Sequence, residues 1–248
     1  MARAALPGRL SWQLGTVADI VRETERVRTI VLEMPDWPGH LPGQHVDVRL
    51  TAEDGYQAQR SYSIASAPED AHLMLTVERL DDGEVSGYLV GELRVGDELE
   101  LRGPIGGYFV WDATAPGPLL LLAGGSGIVP FHAILRHRAA ANSDAPVRLL
   151  YSARSQEEII YSGELSELAG QKGVDIRYTL TRRPPPGWAG YTGRIDRRLI
   201  AELAWPLGES PLNLVCGPNG FVETAAGVLA DIGHPQGRVR TERFGPTG

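Results

Sequence analysis

Apolar and polar residues alternate along positions 27–34, again along 44–50, and again along 72–80, where Leu73, Leu75 and Val77 fall on one side. Strict alternation sends successive side chains to opposite faces, so each run predicts a strand buried on one face and wet on the other. Turn chemistry separates the runs: Pro38-Gly39, Pro42-Gly43, Asp54-Gly55, Asp82-Gly83 and Gly103-Pro104. Only 84–93 has helical spacing in this half. About five to seven short strands at this spacing predict a closed antiparallel barrel.

The rhythm changes after Ala113-Thr114-Ala115-Pro116-Gly117-Pro118. Positions 119–123, 147–151, 176–180 and 212–216 are short apolar runs without polar alternation, and helical stretches follow at 131–141, 157–169, 196–203 and 220–232. Strands apolar on both faces, each followed by a helix, predict a parallel α/β sheet. The Pro- and Gly-rich junction marks the expected boundary: a barrel domain over 1–113 and an α/β domain over 114–248. The stretch Arg182-Arg183-Pro184-Pro185-Pro186-Gly187 reads as a stiff surface loop.

Composition narrows the class. The 248 residues are 42% hydrophobic and 22% charged, as in ordinary globular chains. No apolar run approaches the roughly 20 residues of a membrane helix. The first eight residues contain no apolar signal core, so a cytoplasmic location is expected. The net charge of −7 argues against a nucleic-acid partner. A single cysteine, Cys216, excludes an intramolecular disulfide and any four-cysteine cluster within the chain. No metal site is expected. Lys172 is the only lysine, so nearly all basic charge is arginine, which suits bidentate phosphate contacts.

Four motifs carry candidate chemistry. Leu122-Ala123-Gly124-Gly125-Ser126-Gly127-Ile128-Val129-Pro130 runs from a buried strand through a glycine turn into a helix opening at Pro130. Glycines let backbone approach a ligand, and a helix N-terminus attracts anions, so a pyrophosphate fits; the plain alternative is a tight strand-to-helix turn. The spacing is not that of the G-x-G-x-x-G fingerprint. After the next strand, where NAD sites often carry an acid, stand Ser152-Ala153-Arg154-Ser155, which favour a 2′-phosphate and hence NADPH over NADH. Arg60-Ser61-Tyr62-Ser63 offers a cation and an aromatic ring on one strand face, with hydroxyls on the other. Gly83-Glu84-Val85-Ser86 opens the one helix of the first half, with Ser86 placed to donate to a phosphate. Cys216-Gly217-Pro218-Asn219-Gly220-Phe221 follows the last apolar strand, where such sheets bind ligands. Cys216 is either a ligand neighbour or a small buried hydrophobe; no base stands by to make it a nucleophile.

In this order and spacing the motifs resemble the ferredoxin–NADP reductase superfamily, above all the flavin/NAD(P) reductase components of bacterial oxygenases that lack an iron–sulfur domain. The likeness covers 12–244, with Pro42-Gly43-Gln44, Gly103-Pro104-x-Gly106 and Trp188-x-Gly190-x-x-Gly193-Arg194 as further marks. It implies a six-stranded antiparallel flavin barrel followed by a five-stranded parallel nucleotide domain. It also implies roles. Arg60 would pair with flavin phosphates, with Ser61 beside it; Tyr62 would pack on the isoalloxazine; Ser63 would hydrogen-bond near N5. Gly83, Val85 and Ser86 would bind a phosphate. Gly125, Ser126 and Gly127 would cradle the NAD(P)H pyrophosphate, Arg154 and Arg182 would meet the adenosine side, and Cys216 would sit beside the nicotinamide. Glu242-Arg243-Phe244 resembles the superfamily's C-terminal acid-x-aromatic, with Phe244 covering the second flavin face and the tail Gly245–Gly248 free or folded over the site. The implied activity takes hydride from NAD(P)H, NADPH preferred, onto FAD (alternative FMN). Electrons then pass singly to a separate acceptor protein, a ferredoxin or an oxygenase or oxidase component. The alternative is a free-flavin or quinone reductase. Oligomeric state is not readable from the sequence.

Overall fold

The computed structural model describes residues 10–244, so the tail Gly245–Gly248 lies outside the described residues. The first half forms strands β1 (Trp12–Arg22), β2 (Val27–Glu33), β3 (His45–Thr51), β4 (Gln57–Ser63) and β5 (Leu73–Glu78), helix α1 (Glu84–Gly91) and strand β6 (Glu98–Ile105). All ladders are antiparallel, in the order β4-β3-β6-β1-β2-β5. A bridge between Ile64 and Leu75 joins the two outer strands and closes the sheet into a barrel. Ile30, Leu32, Val46, Val48, Leu75, Val77, Leu99 and Leu101 fill its core, and α1 adds Val85 and Leu89.

The second half forms β7 (Leu119–Gly124), a 3-10 turn over Gly125–Ile128, α2 (Val129–Ala140), β8 (Val147–Ala153), α3 (Ser162–Ala169), β9 (Val174–Leu180), β10 (Tyr191–Thr192), α4 (Arg197–Leu203), β11 (Leu212–Pro218), α5 (Asn219–Asp231) and β12 (Val239–Phe244). These strands make a parallel sheet ordered β10-β9-β8-β7-β11-β12. Six strands stand where the resemblance implied five and the apolar runs located four. The two that no run located are edges: β10 is too short to show a period, and β12 reads Val-Arg-Thr-Glu-Arg-Phe, without a buried apolar stripe. The helix expected over 157–169 also divides. Ile159, Ile160 and Tyr161 turn inward and are buried, Tyr161 sits at φ 60°, and α3 starts only at Ser162. The chain leaves β7 toward β8 on one side and returns to β11 on the other, which opens a crevice at the carboxyl ends of β7 and β11.

A polar seam joins barrel and α/β sheet. The link between β4 and β5 lies on α2, where Nδ1 of His132 donates to the Ala65 carbonyl at 3.0 Å and Nε2 meets Glu164 at 2.8 Å. Arg136 grips Asp70 through two hydrogen bonds, at 2.6 and 3.0 Å, and also bonds Glu164. Burial pushes the Glu164 carboxyl up, but His132 and Arg136 outweigh it and hold the group at about 2. Tyr161 stacks on His132 with ring centres 3.8 Å apart and hydrogen-bonds Thr76 of β5. Phe109, Trp111 and Ala65 carry apolar packing across the same seam into the core around Phe131 and Leu121.

Replacing Arg136 with Met leaves Asp70 and Glu164 facing each other without their cation. The expected cost is about 2 kcal/mol, read from urea unfolding. A loss near zero would put the strength of the seam in its apolar contacts alone.

Candidate functional site

On the barrel side, β4 presents the Arg60 to Ser63 motif. Arg60 is exposed, and its guanidinium bonds the carbonyl of neighbouring Gln59 at 2.6 Å rather than a carboxylate. Tyr62, opposite Val46 in the ladder, is half-buried against the barrel core, and burial pushes its hydroxyl up to about 12, only partly offset by Arg60. The ring is therefore neutral at any working pH. Ser63 ends the strand opposite His45. Ser61 points elsewhere: its hydroxyl donates to Asp47 at 2.7 Å, and Asp47 in turn holds Arg102. Its contribution is to the outer face of the barrel, not to the face that Arg60 shares with Tyr62.

Beside β4, helix α1 starts at Gly83 with no side chain capping its first N–H groups. Such an end attracts an anion. The Ser86 hydroxyl, however, is already engaged: it accepts from the Leu80 N–H at 3.1 Å and donates to the Gly83 carbonyl at 3.3 Å. Its one proton is committed, so donation to a phosphate would break the bond to Gly83. Val85 is buried in the barrel core and offers only its N–H. Gly83 is needed for a local reason: a Cβ there would overlap the Ser86 hydroxyl oxygen.

Across the crevice, the glycines divide their work. Gly125, at φ 56°, has open space where a side chain would go, and with Ser126 it lines a cleft of about 960 Å³. Gly127 instead is buried, and a Cβ there would run into the Cys216 carbonyl. It packs the turn onto β11 and does not face the cleft. A Cβ on Gly124 or Gly217 would strike the Phe221 ring, at 2.9 and 2.8 Å. The two motifs at the ends of β7 and β11 are thus one close-packed unit. Leu80, Glu78 and the turn from Thr24 to Val27 form the barrel wall of this cleft, facing Gly124, Pro218, Phe221 and Phe244.

The adenosine-side arginines also separate. Arg154 lines the cleft, 3.8 Å from Glu158. Arg182 is exposed and its side chain is not among the cleft residues, although its N–H bonds the Arg154 carbonyl at 3.0 Å. Arg194 takes that place in the lining. Its Gly193-Arg194 context was visible in the sequence, but which arginine points inward depends on how the loop after β9 folds.

Cys216 is buried beneath the glycine turn, and burial, then the neighbouring Glu242, pushes its thiol far up. It is absent from the cleft lining, which favours the packing role over direct ligand contact. The ladder between β11 and β12 pairs Cys216 with Glu242 and Pro218 with Phe244. Burial pushes the Glu242 carboxyl up to about 7. Glu242 can therefore gain or lose a proton near neutrality, beside a thiol that keeps its own.

Comparison with known proteins gives the site a context. Residues 13–110 match the oxidoreductase FAD-binding domain and residues 121–227 the oxidoreductase NAD-binding domain. The chain is 36% identical over 228 residues to ferredoxin–NADP reductase B of Sorangium cellulosum, covering 88% of this chain and 91% of the relative. It is 32% identical over 234 residues to the glycine betaine monooxygenase reductase subunit of Pseudomonas aeruginosa, covering 92% of this chain but only 63% of that longer protein. Among solved structures, the FAD/NAD-binding domain of the Vibrio cholerae nitric oxide dioxygenase superposes with a TM-score of 0.84 at 28% identity, over 94% of this chain and 99% of that one.

Two substitutions test the geometry. Gly127→Ala is expected to destabilise by about 2 kcal/mol or more, because backbone lies where the methyl would go, whereas Gly125→Ala costs only its left-handed strain of about 1 kcal/mol. Equal losses in thermal unfolding would contradict the division. For Glu242, a folded value of about 7 against the ordinary 4.5 means the fold favours the protonated acid. That contribution is complete below pH 4.5 and is lost as pH rises toward 7. Glu242→Gln should thus gain on the native chain across this window, by up to about 3 kcal/mol. A stability difference flat across the same window would rule out the burial effect.

Proposed function

Because the chain belongs to the oxidoreductases that join an FAD-binding domain to an NAD-binding domain, we propose that it is an NAD(P)H-dependent flavoprotein reductase serving a separate electron-acceptor protein. The observation that carries this reading is the glycine turn at a sheet switch point, which lines a cleft walled on its other side by the barrel residues Thr24 to Val27, Glu78 and Leu80. The barrel itself carries an uncapped helix end and a carboxylate-free arginine. Anion donors on both halves suit two phosphate-bearing ligands.

The barrel residues fit a flavin. Arg60 and the first N–H groups of α1, at Glu84, Val85 and Ser86, would hold its phosphates; Tyr62 would cover one face of the ring; Ser63 would meet its polar edge. FAD is preferred to FMN, in line with the FAD-binding domain match. When bound, a flavin supplies a centre that takes an electron pair with hydride and releases electrons singly. The remaining work belongs to the chain. Gly125 and Ser126 would cradle the dinucleotide pyrophosphate with backbone N–H groups. Phe244 would exclude water from the second flavin face and yield to the nicotinamide. Glu242 would hold or move a proton at its carboxyl, with Cys216 packing the floor beneath it. Ser152 and Arg154, standing where an NAD site often has an acid, favour NADPH as donor. The domains divide at 113/114 and meet at this cleft.

The acceptor is best read as a protein. The Sorangium relative is a ferredoxin–NADP reductase and the Pseudomonas one a reductase subunit of a monooxygenase. One cysteine among 248 residues leaves no four-cysteine cluster within this sequence to take the electrons.

Arg60→Ala is expected to purify without flavin or to lose it on gel filtration, while the unaltered chain stays yellow. A fully yellow variant with an unchanged spectrum would overturn the phosphate role of Arg60. Easy loss of flavin from the unaltered chain would shift the reading to a free-flavin or quinone reductase.

A further inference from the structure

Two stretches of the cleft wall come from different halves of the chain: the turn Thr24–Val27 between β1 and β2, and Ile160 ahead of α3. Behind them runs a chain of hydrogen-bonded side chains with no part in the sites above. The Tyr161 hydroxyl donates to Oγ1 of Thr76 on β5. Thr76 stands opposite Thr29 of β2 in the ladder, with the two hydroxyl oxygens 2.8 Å apart. Thr29 in turn donates to the Glu23 carboxylate at 2.7 Å. A hydroxyl has one proton, so the order is fixed: Tyr161 to Thr76, Thr76 to Thr29, Thr29 to Glu23. Tyr161, Thr76 and Thr29 are each only 5% exposed, so solvent does not readily replace a lost partner.

Both ends of this chain of bonds adjoin the cleft. Glu23 directly precedes the lining turn, whose backbone closes through the N–H groups of Glu23 and Thr24 on the Val27 carbonyl, at 3.1 and 3.3 Å. Tyr161 directly follows Ile160, whose N–H is held by the buried Tyr151 hydroxyl at 3.3 Å. Val27 packs in the same apolar cluster as Ile160, but apolar contact is not directional and sets no fixed spacing. Tyr161 also sits at φ 60°, a backbone conformation that disfavours a bulky side chain, while its ring stacks on His132 of α2. The surrounding structure holds this residue against its own preference, and such strain is kept where placement matters.

We infer that Tyr161 is a positioning residue: acting through Thr76 and Thr29 on Glu23, it fixes the spacing between the barrel wall and the α/β wall of the cleft, and with it the distance at which two bound ligands meet. Tyr161 itself is not among the cleft residues. The inference rests on the reading of the cleft as a nicotinamide-nucleotide site beside a flavin.

The test uses the flavin-loaded protein with Tyr161→Phe, which keeps the ring, and Thr76→Val, which keeps the shape. Amide exchange, followed with no nucleotide present, reads the N–H groups of Thr24 and Ile160. Anaerobic stopped-flow mixing with NADPH or NADH reads the limiting rate of flavin reduction and the nucleotide concentration at half that rate. Loss of one buried hydrogen bond is expected to speed exchange at both groups by about tenfold, with the β1–β6 ladder unchanged. The limiting rate should fall by about tenfold while half-saturation holds, because the ligands still bind but meet at the wrong distance. The double variant should be no worse than either single one, and Thr76→Ser should restore both readouts. Additive losses in the double variant, or a limiting rate that holds while exchange speeds up, would overturn the inference and leave Tyr161 a purely structural contact. Unchanged exchange at both groups would overturn it as well. If exchange responds as stated but neither nucleotide reduces the flavin of the unaltered protein, the clamp between the walls stands and the reductase reading falls.

Discussion

Arg136 holds Asp70 of the barrel and Glu164 of the α/β domain in one guanidinium, and His132 bonds the same glutamate while reaching the barrel backbone at Ala65. Everything proposed for the cleft depends on this seam. Each half has its own core, and in the proposed reading neither alone places a hydride donor against an acceptor. Bringing two rings into contact requires the relative position of the halves to be held to a fraction of an ångström. A half-buried network fixed by geometry does this better than apolar contact, which is not directional. The Tyr161 stack on His132 and the Phe109 and Trp111 packing add apolar contact to the same seam.

The second constraint is close approach. Gly124, Gly127 and Gly217 let two loops and the Phe221 ring occupy space that side chains would deny them. This compresses the ends of β7 and β11 into one floor and leaves Gly125 and Ser126 as its exposed lip. Beneath it, buried Cys216 and half-buried Glu242 share a ladder position. The same burial that makes Glu242 costly to ionise makes it useful for handling protons near neutral pH.

Local chemistry was legible and distant geometry was not. Alternation at 27–34 and the apolar run at 119–123 announced β2 and β7, because burial on one face or on both leaves a direct trace in residue order. Strand β12 left none, since an edge strand can be polar on its open side. The glycine motif was read as a candidate ligand turn, but only packing separates Gly127, pressed on β11, from Gly125, open to the cleft. Ser86 looked like a phosphate donor until its proton proved committed to Gly83. Arg182 was the candidate for the adenosine side and Arg194 only a mark of the family pattern; that Arg194 and not Arg182 lines the cleft depends on how the loop after β9 folds. The seam was invisible throughout: its partners lie 66 positions apart for Asp70 and Arg136, and no local pattern records such a pair.

The most direct test of the central claim is an anaerobic titration of the flavin-loaded protein with NADPH and NADH in parallel, following the visible flavin absorption. Transfer across the cleft requires that at least one nucleotide bleach the flavin completely, near one equivalent, with no other protein present. A flavin that stays oxidised with both would mean that the fold holds its ligands without bringing them into contact, and electron transfer would have to be abandoned as its function.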